Sequence, residues 1–183
     1  LSAPAAARPG PVPERFATER LDAHRVSEAD EPFLRAMFGD ARVHATLGGP
    51  RDDGQVHATA QRWSAHWDRT GFGPWIVAER ATAAPVGWVG LCETDTGGAG
   101  GVEILYAVAA DHWRRGFASE AGRAAVVMGH GALGRDELVA FTLPHNVGSR
   151  AVMEGLGFTY TEDVVHAGLP HVLYRRRNGV VGG

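Results

Sequence analysis

Apolar residues change their period along this chain, and the clearest change lies near its middle. Ile104, Tyr106 and Val108 alternate with Leu105 and Ala107, so the run is apolar on both faces, the pattern of a strand covered on both sides. A turn follows that carries Asp111, Arg114, Arg115 and Gly116. Small and apolar residues then return at helical spacing: Ala118, Ala121, Gly122, Ala125, Val126 and Gly129. A stripe of Ala and Gly lets such a helix lie close on a sheet.

The same reading extends along the rest of the chain. Residues 18–25 read as a short edge strand. Ser27 as an N-cap and Pro32 in a first turn predict a helix that carries Phe33 and Met37 on one face and ends near Gly39. Leu47-Gly48-Gly49-Pro50 breaks the chain. Val56, Ala60, Trp63 and Trp67 space a second amphipathic helix. Residues 75–79 and 85–92 read as strands around a hairpin loop, and a Gly-rich turn at 97–101 leads into the central strand. The central helix should end between Gly131 and Gly134. Residues 138–143 read as a strand, 146–156 as a short helix closed by Gly157, and 159–165 with 172–175 as a final hairpin around Gly168. The order β-α-α-β-β-β-α-β-α-β-β predicts a mixed α/β (α+β) sheet with one β-α-β crossover, which should be right-handed.

At 183 residues and 44% hydrophobic, the chain suits one domain with a buried core and is too apolar for a disordered one. A net charge of −3 argues against a nucleic-acid binder. Every basic residue is an arginine, which together with abundant Ala and Gly reflects a GC-rich genome rather than a function. The single cysteine, Cys92, permits no internal disulfide and fits a reducing, cytoplasmic setting. No apolar run is long enough to span a membrane. The Ala- and Pro-rich start lacks the continuous apolar stretch of a secretion signal. Residues 1–17 are therefore expected to form a flexible tail, 18–176 one domain, and 177–183 a second short tail.

The turn between central strand and helix is the first candidate for chemistry. It exposes a row of free backbone N–H groups, Gly116 allows close approach, and Arg114 and Arg115 stand beside it, which together make a site for phosphate. Taken alone, such a turn is equally an ordinary strand-to-helix connection. G-x-G-x-x-G would need more glycines, and the Gly-Lys-Ser/Thr loop is excluded because the chain has no lysine.

Four separated stretches resemble the GNAT N-acetyltransferase superfamily and, within it, the RimJ/RimL-type branch, the amino-terminal acetyltransferases of ribosomal proteins and their relatives. They are Thr18-Glu19-Arg20-Leu21, then Gly71-Phe72-Gly73-Pro74-Trp75, then Trp113-Arg114-Arg115-Gly116-Phe117-Ala118-Ser119-Glu120-Ala121, then Asn146-x-x-Ser149 followed by Gly157-Phe158. The resemblance covers residues 18–176. It implies a single-domain, mostly antiparallel sheet of about seven strands with about four helices, in which a central parallel pair splays apart. It implies acetyl-CoA as co-substrate, its pyrophosphate held by backbone N–H groups from Arg114 to Ser119, including Gly116, Phe117 and Ala118. The pantetheine arm would run along Ala107 and Val108, with Asn146 ordering it or a water. The superfamily's Gln/Arg-x-x-Gly-x-Gly/Ala motif is met at Gly116 and Ala118; Trp113 departs from it, in a form common in this branch.

Acetyl transfer to an amine needs a neutral amine and a stabilised oxyanion, and the leaving thiolate either takes a proton from an acid or departs without one. An amine of pKa about 8–10 is mostly protonated at neutral pH. Glu103, at the start of the central strand, is the candidate base, since the resemblance places a similar glutamate near the acceptor; a surface charge at a strand edge is the other reading. The backbone N–H of Val108 is the candidate oxyanion donor. Many superfamily members carry a tyrosine acid where Met153 stands here, and the branch suggests Ser149 instead. Ser149 equally suits capping or packing of its helix. Tyr106 and Tyr160 are reserves, though a sheet residue with a satisfied hydroxyl is the favoured reading of each. Trp63, Trp67, Trp75 and Trp88 are expected in the core, with an acceptor pocket as their alternative. His145 can line the acceptor channel, and Asp52 and Asp53 can attract a cation or complement a helix dipole. No spacing suits a metal. Cys92 has no base placed beside it, so transfer is expected to be direct, in a ternary complex. The acceptor would be a small-molecule primary amine or a protein N-terminus, with no nucleic-acid or membrane partner, and monomer or homodimer stays open. The alternatives are a non-catalytic acyl-CoA-binding or regulatory domain of the same fold and a nucleotide-binding module.

Overall fold

The computed structural model describes residues 10–98 and 100–179. One eight-stranded sheet runs through it in the order β1 (Arg15–Ala17), β2 (Leu21–Arg25), β3 (Pro74–Glu79), β4 (Pro85–Thr94), β5 (Gly101–Val108), β6 (Glu137–Thr142), β8 (Leu169–Arg177), β7 (Thr159–His166). Every neighbouring pair is antiparallel except β5 with β6, which are parallel and share a single registered pair, Glu103 with Val139. Beyond that pair the two strands diverge. The sheet is thus mixed and mostly antiparallel with a splayed central pair.

The described residues also form five α-helices: α1 (Glu31–Gly39), α2 (Ala41–His44), α3 (Asp53–Thr70), α4 (Phe117–His130) and α5 (Val147–Gly155). Trp88 of β4 meets Trp63 of α3 and Phe38 of α1 at ring centroids of 5.5 and 5.3 Å, which places both helices on its face of the sheet. Tyr106 lies one residue along from Ala107, the register partner of Trp88, and so points to the opposite face, where it bonds to Ser149 of α5. α4 lies on the sheet through its small residues. A Cβ on Gly129 would stand 2.8 Å from Leu138, and one on Gly122 would stand 2.7 Å from Leu156.

Two glycines of the second stretch of the resemblance have plain packing reasons. Gly71 ends α3 at a φ of 75°, a left-handed cap that side chains resist. Gly73 lies beneath the Trp67 indole with no room for a Cβ, and that indole donates to the Pro74 carbonyl at 2.7 Å.

The sequence expectation of seven strands and four helices falls short by β1 and α2. β1 holds three residues, too few to show a period, and α2 is a single turn capped by Asp40, whose side chain accepts from the Arg42 amide. Residues 10–17 are part of the fold and not a tail: Val12 is buried, β1 pairs with β2, and the Trp75 indole donates to the Pro13 carbonyl at 3.0 Å. The tail expected over residues 1–9 lies outside the described residues, as does most of that expected after 177. In α1 the inward face is Leu34, Met37 and Phe38, with Phe33 half-buried. Among the described residues no helix is long and apolar enough to cross a membrane.

Candidate active site

The turn between β5 and α4 is shaped by two residues of positive φ, Arg114 at 60° and Gly116 at 82°. Gly116 is the N-cap of α4, and no side chain caps the helix there. The first helical bond of the turn runs from the Glu120 amide to the Gly116 carbonyl, so the amides before it point outward at the positive end of the helix dipole. Arg114, Gly116, Phe117, Ala118 and Ser119 all line a cleft of about 860 Å³. Anion chemistry fits this turn.

The arginines divide the work. Arg114 faces the cleft and has no ion pair among the described residues. The Arg115 side chain turns away from the cleft, pairing with Glu79, bonding to His112 Nδ1 at 2.9 Å and lying over the Phe117 ring at 4.7 Å. Arg115 therefore brings no charge to the cleft. The Trp113 indole donates to the Val108 carbonyl at 2.7 Å, which fastens the turn to the end of β5.

From the turn, the cleft runs between the splayed ends of β5 and β6, past Ala107, Val108, Thr142, Asn146 and Ser149. The Ala109 amide bonds to Val86 of β4, and by antiparallel alternation the Val108 amide points the other way, toward the gap. Trp63 and Trp88 stand on the wall, while Trp67 and Trp75 are core, so the four tryptophans split evenly between the two roles.

Glu103 sits where β5 and β6 part. Burial pushes its carboxyl up to about 7, with the Thr94 side chain pulling it the other way. Its register partner across β4 is Cys92. Burial, with the Glu103 charge beside it, pushes the Cys92 thiol far up, so the thiol stays protonated and cannot act as a thiolate. Glu103 borders the large cleft and also a second chamber of about 580 Å³ under α3, whose walls include Arg51, Arg62, Trp63, His66 and His166.

Opposite Glu103 along the cleft, the Tyr106 hydroxyl donates to the Ser149 carbonyl at 2.9 Å and stands 3.1 Å from the Ser149 hydroxyl. Burial holds the Tyr106 phenol above its ordinary value, with Ser149 pulling it down. Asn146 caps α5: its Oδ1 accepts from the Ser149 amide and its Nδ2 donates to Thr142, both at 3.1 Å. Met153 is buried below them. His145 Nε2 stands 3.3 Å from the Ala45 carbonyl and ties the loop before α5 to α2. Asp52 caps α3 and Asp53 pairs with Arg35, so neither carboxylate is free for a ligand. Tyr160 lies on the β7 edge, bonded to Asp163 and outside the cleft.

Sequence reasoning overlooked what holds the turn in shape. The Thr18 hydroxyl, Arg20 amide and Arg20 guanidinium all bond to the Glu120 carboxylate, at 2.6, 2.8 and 2.7 Å, and Arg20 also reaches the Arg115 carbonyl at 2.9 Å. Burial alone would raise the Glu120 carboxyl; these bonds overcome it and hold it below its ordinary value. Thr18 and Arg20 stand in the first stretch of the resemblance, which was the one signal available. The second chamber had none, because its walls come from distant segments.

The family model described as "Acetyltransferase (GNAT) domain" matches residues 20–159. The uncharacterized protein YkkB of Bacillus subtilis is 25% identical over 167 residues, spanning 90% of this chain and 96% of its own. An acetyltransferase structure from Agrobacterium tumefaciens aligns at TM-score 0.80 and 25% identity, over 91% of this chain and 95% of that one. A structure of AAC(6')-Ib in complex with paromomycin and acetyl-CoA aligns at TM-score 0.73 and 16% identity, over 88% and 96%. The fold, the cradle before α4 and the match over most of the chain agree: this chain belongs to the GNAT acetyltransferase family.

Proposed function

We propose that the protein is an acetyl-CoA-dependent N-acetyltransferase that acetylates a primary amine by direct transfer, with Glu103 taking the amine's proton. The observation that carries this reading is the place of Glu103: a carboxyl pushed up to about 7 at the fork of β5 and β6, on the wall of both chambers. A base is most effective when its pKa lies near the working pH.

The uncapped amides at Gly116 to Ser119, with Arg114, would hold the pyrophosphate of acetyl-CoA, and Ala107 and Val108 would flank its pantetheine arm. Bound there, acetyl-CoA supplies its acetyl group as a thioester, and the amine gains that group as it loses a proton and CoA leaves as the thiol. Glu103 accepts the amine proton. The Val108 amide donates to the carbonyl oxygen as charge gathers on it. The Ser149 hydroxyl donates toward the departing sulfur, while Tyr106, its O–H donated to the Ser149 carbonyl, holds Ser149 in place rather than acting as an acid. Asn146 positions Ser149 through the α5 cap. The protonated state of Cys92 favours direct transfer over an acyl-enzyme. Trp113 and the four matching stretches support the RimJ/RimL-type branch, whose acceptors include protein N-termini; a small-molecule amine suits the same site.

Glu103→Gln tests the reading. Acetyl-CoA affinity measured by calorimetry should stay at the wild-type value, while kcat with the best amine falls about 10²- to 10⁴-fold. Unchanged turnover would remove Glu103 from the role. Wild-type protein that binds acetyl-CoA and releases no CoA with any amine would instead be the non-catalytic domain.

A further inference from the structure

We propose that the second chamber selects an acceptor that carries a carboxylate as well as its amine, an amino acid or short peptide with a free C-terminus, held by Arg51 and Arg62 while its amine meets Glu103. The inference rests on the acetyl-transfer reading above and names its substrate class.

The two chambers share Arg51, Glu103, Trp63, Leu105 and His166 on their walls, so a guanidinium and the candidate base look into one throat. Arg51 is half-buried. Its Nη1 donates to the Thr59 hydroxyl at 2.8 Å and its guanidinium lies 4.2 Å from the Phe38 ring centroid, two contacts that orient the group and leave its charge unneutralised. Among the described residues neither Arg51 nor Arg62 has a carboxylate partner, although Arg20, Arg25, Arg35, Arg42, Arg69 and Arg175 each have one. The two stand near enough for Arg62 to repel the Arg51 charge.

The carboxylates on the chamber wall balance them only in part. Glu93 is paired with Arg69 at 3.3 Å, and Glu103 is only partly ionised near neutrality. His66 and His166 are pushed down by burial and stay neutral. The His66 Nδ1 lies 3.0 Å from the Arg69 guanidinium, which can only donate, so Nε2 carries the ring proton. That Nε2–H is buried with no partner among the described residues and is closed off from the chamber. Two guanidiniums without a carboxylate partner suit a carboxylate, which accepts a bidentate pair. They disfavour polyamines and aminoglycosides, whose remaining ammonium groups would face like charge. Trp63 and Leu105 offer apolar surface to the rest of the acceptor.

The test uses amino acids and dipeptides, each beside its C-terminal carboxamide, with acetyl-CoA and a thiol-release readout. The carboxylate member of a pair should react with kcat/KM about tenfold to a hundredfold higher, mostly through KM. Arg51→Gln and the exposed Arg62→Gln should each shrink that preference, Arg51→Gln to near unity. Because Arg51→Gln could disturb the start of α3, Arg62→Gln keeps the test decisive. A parallel arm replaces acetyl-CoA with succinyl-CoA and a neutral amine. If succinyl-CoA is preferred and Arg51→Gln removes that preference, the carboxylate belongs to the acyl group and the acceptor assignment falls. Calorimetry of CoA-loaded protein with N-acetyl amino acids and their amides reads the site without turnover. Selective binding of the carboxylate, lost in Arg51→Gln, with no turnover would keep the site and remove acetyl transfer. Turnover with equal rates for carboxylate and carboxamide, or with polyamines preferred, would keep acetyl transfer and remove the site. Neither selective binding nor turnover would overturn both.

Discussion

Glu103 owes its raised proton affinity to position: a carboxyl withdrawn from water at the fork of two strands prefers its neutral form. Two pH dependences follow from that one group. The base form gains population as pH rises, so kcat/KM should climb through an apparent pKa near 7. Profiles for two amines of different basicity separate the groups: the limb that moves belongs to the amine, and the fixed limb near 7 belongs to Glu103 and should vanish in Glu103→Gln. Stability runs the opposite way. The unfolded carboxyl releases its proton near 4.5 and the folded one near 7, so between these values the folded state binds more protons and stability falls as pH rises. The Tm of Glu103→Gln relative to wild type should therefore increase from pH 5 to pH 8. The resemblance pointed to Glu103 and Ser149, and the chemistry of an oxyanion to the Val108 amide. The sequence could not give the pairing of Ser149 with Tyr106, because one hydroxyl lies on β5 and the other on α5 and only tertiary packing brings them to 3.1 Å. Nor could it tell Arg114 from Arg115, since the opposite directions of two adjacent arginines depend on a positive φ at Arg114 and on Glu79 of β3.

At the scale of elements, strong periodicity made α3, α4 and β5 readable. α3 buries Val56, Ala60, Trp63 and Trp67 at the expected spacing, and α4 lays its small residues on the sheet. β1 and α2 escaped because three or four residues hold no period, and their stability comes from neighbours. The Ala and Gly stripe of α4 sets the depth at which the helix rests, and so the level of the cradle at its N-terminus. Gly129→Leu should destabilise by about 1–3 kcal/mol through overpacking against Leu138, read as a lowered urea midpoint at constant m. Replacing exposed Val127, on the other side of the same helix, with Ala should leave the midpoint within about 0.5 kcal/mol.

At the scale of the molecule, the sheet parts its helices so that cradle and α5 border the cleft from one face while α3 roofs the second chamber from the other. Co-substrate and acceptor can then reach Glu103 from separate directions. The resemblance made this plan legible; the second chamber was invisible because its walls come from α3, β4, β5 and the β7–β8 turn. Acetyl-CoA at a hundred times its Kd should stabilise the protein by about 2.7 kcal/mol, raising Tm by roughly 5–10 °C in a domain of this size. Arg20→Ala, which loosens Glu120 and the Arg115 carbonyl, should weaken acetyl-CoA binding about tenfold and shrink that shift, although Arg20 lies outside the cleft.

The bonds from Thr18 and Arg20 to Glu120 join residues about a hundred positions apart. The cradle is contiguous in sequence, yet it takes its working shape only when the opening strands have docked. As the chain leaves the ribosome those strands emerge first and wait for α4, so a product truncated before α4 would have no cradle, and one that lacks its start would have a slack one. On the proposed function, possession of acetyl-CoA would become a certificate of assembly: ligand would gather on chains whose two ends of this long loop have met, and would protect those from proteolysis ahead of the incomplete ones.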